Sequence, residues 1–233
     1  MSQLTATEKL FGTTTLDERQ AALAKRTYAL LGLSVLSAAY GGYLGATTLE
    51  IVRFFASPFG FIAALLLINI IPRVALAASE KSPSLAMMAL MADGLFSGLV
   101  LGPILFVVTH RNPNILLAAG GVTGAVFLGV TGYVMSAKQR FSAPVGLMTG
   151  LIVGVTAAIL LNLFLHLPLL SVLISVAVGF LGVLMLIAAT SDVLNDPDYN
   201  NPIQGALMLF AALFNIFVSV LNILLRLFGG SRN

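Results

Sequence analysis

The chain has 233 residues, 58% of them hydrophobic and only 9% charged, with a formal net charge of +3 and a pI near 9.5. That composition leaves no soluble domain in which to look for an active site, so function belongs inside a bilayer or at its faces. Cysteine is absent, which excludes disulfides, thiolate metal sites and cysteine nucleophiles.

Residues 1–26 hold no apolar run. The expectation is a polar tail without a cleavable signal peptide, followed by a single transmembrane domain over residues 27–233. Thr15 and Glu18 have capping-box spacing, which predicts a helix starting near Leu16 and running into the first span. Seven apolar stretches follow, each of about 20 residues and so able to cross roughly 30 Å of hydrocarbon as a helix. They read as residues 27–49, 54–72, 84–109, 114–136, 143–165, 168–189 and 203–228. The fold class expected is all-α: a polytopic membrane protein with seven transmembrane helices.

Glycines recur four apart within the spans: Gly41 and Gly45 in the first, Gly94, Gly98 and Gly102 in the third, Gly120 and Gly124 in the fourth, and Gly146, Gly150 and Gly154 in the fifth. That interval places them on one helix face, where a neighbouring backbone can approach closely, so the reading is tight packing. Asn69, Asn162, Asn215 and Asn222 also fall in spans and are expected to bond between helices.

Asp93 is the sharpest polar feature. It lies about nine residues, or roughly 14 Å of rise, into the third span. An ionised carboxylate at that depth costs on the order of 2.5–3.5 kcal/mol, so it should face the bundle interior or a partner. Two readings stand: a proton-responsive or cation-binding group, or a neutral acid bonded to a backbone carbonyl or to Ser97. Nearby Met87, Met88 and Met91 read as packing residues. His110 and His166 fall at the outer edge, and with no acids beside them they do not make a metal site. No cofactor is expected.

The connection from Thr190 to Pro202 carries Asp192, Asp196 and Asp198 and no basic residue. Three carboxylates so close could offer oxygen ligands to a hard cation such as Ca²⁺, although the spacing and closing Glu of a calcium-binding loop are missing. The other reading is a solvated loop, with Asn201, Pro202 and Gln204 supplying the cap, first turn and capping-box return of the last helix. Arg73, after Pro72, either snorkels to the headgroups or serves as the cationic partner of a carboxylate at that face.

Basic residues near spans set orientation. Lys9, Arg19, Lys25, Arg26, Arg73, Lys81, Lys138 and Arg140 fall on one side, and Arg53, Arg111, Arg226 and Arg232 on the other. The bias predicts a cytoplasmic N-terminus and an outside, periplasmic C-terminus. Because the charge sits beside the spans, it argues for topology and against nucleic acid.

Three stretches carry a resemblance: Arg26, Thr27, Tyr28, Leu30 and Leu31 entering the first span; Leu101–Leu105 in the third; and Asn215–Ser219 in the seventh. In that order they resemble the Bax inhibitor family of seven-helix membrane proteins, particularly its bacterial YccA-like branch. The resemblance implies six helices around a central, more polar seventh, in a bacterial inner membrane. It also implies two activities. One is a pH-gated Ca²⁺ leak, carried in some members by two aspartates near the end of helix six and in helix seven that share protons and pair with an arginine. The matching positions here are Ala189 and Ala212, so that pair is missing. The other is modulation of the membrane protease FtsH, which needs no ionisable pair. The expectation is a non-enzymatic protein acting through FtsH or another membrane assembly. The alternatives are a cation leak using Asp93 and the acidic connection, or a structural subunit of a larger complex.

Overall fold

The computed structural model describes residues 6–137, 139–142 and 145–229. Among these residues every regular element is an α-helix: α1 Ala6–Thr47, α2 Leu49–Ala56, α3 Pro58–Ser79, α4 Pro83–Val100, α5 Gly102–Arg111, α6 Asn114–Ala137, α7 Val145–Leu165, α8 Pro168–Asn195 and α9 Pro202–Phe228. Seven helical segments are long and apolar enough to cross a membrane, from Glu18–Thr47 to Pro202–Phe228.

The boundaries correct the sequence reading in six places. Helix α1 begins at Ala6, well before Leu16; the side chains of Lys9, Thr15, Lys138 and Arg232 lie outside those described. The first span stops at Thr47, and a short helix, α2, follows it. Glu50 in its first turn and Arg53 in its last complement the helix dipole. Span two therefore starts at Pro58, where Ser57 caps α3 by accepting from the Gly60 amide at 3.1 Å. A Cβ at Gly60 would collide with the Phe54 carbonyl, so this corner requires glycine. Span two also runs past Pro72 to Ser79, a proline that neighbouring groups in a bundle can accommodate.

Span three is two helices. Proline at 103 has no N–H and crowds the carbonyl four residues back, and α4 gives way to α5 at Leu101. Span six extends to Asn195, because no glycine or proline interrupts the sequence between Ala189 and Asp196. That extension moves Asp192 out of a loop and onto a helix.

Helix α9 packs against α1, α3, α4, α6 and α8. It contributes to all three buried apolar clusters: Leu209, Phe210, Ala212 and Ile216 to one, Leu221 to the second, and Ala206 and Leu207 to the third. Its N-terminus is capped as expected, Asn201 accepting from the Ile203 and Gln204 amides at 3.1 Å. Gln204 takes part through its amide.

The glycine faces divide in two. Those of α1, α4 and the start of α5 are in use: a Cβ at Gly41 would strike the Leu95 carbonyl, one at Gly98 the Ala38 carbonyl, and one at Gly102 the Gly45 backbone, while Gly94 packs on Ser34. Gly120, Gly124, Gly146, Gly150 and Gly154 have nothing within 4 Å of a would-be Cβ. The close-packing expectation is thus corrected for α6 and α7. Two of those glycines, Gly150 and Gly154, instead line a shallow apolar groove against Leu170 and Ile174 of α8. Met87, Met88 and Met91 are exposed rather than packed. The asparagines are likewise mixed. Asn69 and Asn222 bond carbonyls of their own helices, Asn162 reaches Ser171 of α8, and Asn215 reaches the Met185 sulfur at 3.8 Å.

Candidate functional site

At the end of the bundle where α3 turns into α4, and α8 into α9, a polar cleft of about 230 Å³ opens between Arg140, Asp192, Asp196, Asp198, Tyr199 and Gln204. Its geometry follows from the extended α8. Asp192 and Asp196 stand four residues apart, the spacing that aligns side chains along one helix face. Arg140, in the connection between α6 and α7, reaches both, at 3.4 Å to Asp192 Oδ1 and 2.8 Å to Asp196 Oδ2.

The connection that carries Arg140 is held against α8 by its backbone. The Phe141 amide donates to Ser191 Oγ at 2.7 Å, and Asn195 Nδ2 donates to the Gln139 carbonyl at 3.0 Å. Asp196 is the buried member, 9% exposed, whereas over half of the Arg140 side chain is open to solvent. A half-exposed guanidinium makes each pair individually modest, on the order of 0–1 kcal/mol, and the shared geometry makes the cluster a unit. Three carboxylates facing one guanidinium leave the cleft acidic.

The connection from α8 to α9 is tied down by three hydrogen bonds, two to α1 and one to α3. Gln20 Nε2 of α1 donates to the Asp196 carbonyl at 3.0 Å, and Asn201 Nδ2 donates to Ser79 Oγ of α3 at 3.3 Å. The Tyr199 phenol meets Thr27 Oγ1 at 2.5 Å. Thr27 spends its own proton on the Leu23 carbonyl, so Tyr199 is the donor. Burial pushes the Tyr199 phenol above its ordinary pKa, opposed by the Thr27 bond and reinforced by Tyr28 and the Asp192 charge. Within the turn, Asp196 Oδ1 accepts from the Asp198 amide at 3.1 Å.

The other expected site residues do not join this cleft. Arg73 is exposed, and both ion pairs among the described residues belong to Arg140. Asp93 is 3% exposed on α4, with Oδ1 bonded to nothing, Ser97 included. His110 bonds the Phe106 carbonyl and packs on its ring; His166 sits at φ 52° on the turn into α8. Among the described residues no three His, Asp or Glu side chains gather as a metal site. Ala189 and Ala212, where the resemblance would place an acid pair, are both buried in one apolar cluster.

Sequence reasoning missed the Asp192–Arg140–Asp196 triad because it ended the sixth helix at residue 189. The signal was present: an unbroken helical run through Asn195 puts the two aspartates one turn apart.

Seven apolar crossings, with an ion-paired acidic cleft at one end, define a polytopic α-helical membrane protein. The chain belongs to the Bax inhibitor family: the family model described as Inhibitor of apoptosis-promoting Bax1 matches residues 20–231. Among its relatives, an uncharacterized protein of Neisseria meningitidis is 30% identical over 209 residues, covering 88% of this chain and 91% of the relative. One of Campylobacter jejuni is 29% identical over 202 residues, 86% of each chain. The Modulator of FtsH protease YccA of Escherichia coli is 33% identical over 131 residues, 55% of this chain and 59% of YccA.

Proposed function

We propose that this protein sits in a bacterial inner membrane, N-terminus in the cytoplasm, and modulates a membrane protease of the FtsH kind by contact. The observation that carries the reading is the likeness to YccA, whose name assigns it that role. Two features support it. The positions matched to an acid pair are alanines inside the core, and α1 continues on the N-terminal side of its apolar segment, Glu18–Thr47, as an extension a protease could grip. Truncating residues 1–17 leaves Gln20 and Ala24 in place. The truncated protein should lose its effect on protease-dependent turnover while the full chain keeps it; an equal effect from both would refute the reading.

The cleft favours a second reading, a cation leak gated where Arg140 holds Asp192 and Asp196. Reconstituted vesicles loaded with a calcium dye test it. Flux that changes in Arg140→Ala supports a leak, and no flux at acidic or neutral pH removes it.

A further inference from the structure

Helix α9 feeds every buried cluster among the described residues, yet one of its faces joins none of them. Gln204, Met208, Ala211, Asn215, Val218 and Asn222 follow one another at alternating steps of four and three, a line of about 27 Å along the helix. The buried residues of α9 all fall off this line. Gln204 and Met208 are exposed where the line leaves the acidic cleft, and the other four are half-buried.

The line is the floor of a groove. On one flank Ala212 and Ser219 meet Gly182 and Gly179 of α8; on the other Leu207 packs with Ala75 of α3. Two asparagines stand on that floor, Asn215 about 20 Å of rise into the helix. Asn215 Nδ2 has the Met185 sulfur at 3.8 Å, and Asn222 Nδ2 donates to the Val218 carbonyl at 2.9 Å. Among the described residues neither Oδ1 accepts a hydrogen bond, and each Nδ2 keeps a second N–H. Lipid tails offer these amides nothing, whereas polar side chains on a neighbouring helix bond them.

We propose that this face of α9 docks one transmembrane helix of another protein, which presents amide side chains seven residues apart to Asn215 and Asn222. The four-and-three alternation is the repeat of left-handed helix pairs, whose axes close to about 8–10 Å. A lone helix can come that near between α3 and α8. A second copy would bring the same two walls, and they would collide before the floors met. Only the source of the helix rests on the protease reading above. The turnover assay tests that reading and a vesicle assay tests the groove, so either can fail alone.

The chain has no cysteine, so a dye on Leu117→Cys, 74% exposed on α6, labels the full protein at one place. The probes are dye-labelled polyleucine helices of about 20 residues, one plain and one with two asparagines seven apart, diluted in vesicles until each is monomeric. Energy transfer should show the asparagine helix binding several-fold more tightly than the plain one. The excess should vanish when Asn215→Leu and Asn222→Leu are combined, and in Ala211→Phe, which fills the floor. Equal binding of the two probes, or an excess that survives these substitutions, overturns the proposal. Should the leucine variant fail to fold, Ala211→Phe decides. Transfer between labelled copies of the protein that Ala211→Phe abolishes would give the face to a second copy and overturn the proposal as well.

Discussion

Tyr199 donates a 2.5 Å hydrogen bond to Thr27 across 172 positions of chain, pinning the connection between α8 and α9 onto α1. The bond decides where the cleft floor sits, because Gly205 admits the phenol only by having no side chain. Tyr199→Phe should lower stability by about 0.5–1.5 kcal/mol, the usual worth of one such bond. The phenol's folded pKa is raised, so its contribution is complete below the ordinary tyrosine value and is lost as pH rises through the folded one. Unfolding in detergent, followed into alkaline pH, should show that loss in the wild type and a flatter profile in Tyr199→Phe.

Arg140→Ala removes the cation from a buried Asp196 and a half-buried Asp192. The expected cost is about 1–3 kcal/mol, as for a charged group deprived of its partner. Adding Asp196→Asn to that variant should recover part of it. Strict additivity in a double-mutant cycle would mean that the 2.8 Å contact contributes no coupling.

Gly98→Ala puts a methyl group into the Ala38 backbone, and overpacking of that kind costs about 1–3 kcal/mol. Gly150→Ala meets open space and should be neutral or stabilising by up to about 1 kcal/mol, since alanine is the better helix former. Thermal unfolding of the two variants should move in opposite directions or leave only Gly98→Ala destabilised.

Asp93→Leu exchanges a buried carboxyl with an unbonded oxygen for an apolar side chain. Relief of an unsatisfied polar group is worth about 1–3 kcal/mol, so the variant should unfold at a higher temperature. A fall in stability would show that Asp93 holds a partner of its own.

The seven crossings were legible because apolar runs of sufficient length are a strong signal, and Asn201 with Pro202 marked the start of α9 correctly. Breaks inside apolar sequence were not. The α4–α5 joint follows a single proline, and the short α2 is marked only by Glu50 and Arg53 at its ends, signals that hydropathy averages away. For the site, the acidic residues stood out, whereas their partner did not. Arg140 comes from a different connection, and pairing across about fifty residues has no local signature. Arg73 looked equivalent on charge alone but lies exposed on α3. Glycine spacing marked faces able to pack closely and left open which would find a partner: α1 and α4 did, α6 and α7 did not.

Because α9 supplies residues to every buried cluster among the described residues, none of the three interiors is complete without it, although α1 and α4 already pack closely on each other. A nascent chain halted before Pro202 would carry six apolar crossings with each cluster short of a member. Biogenesis therefore separates into insertion, helix by helix, and a closure that waits for α9.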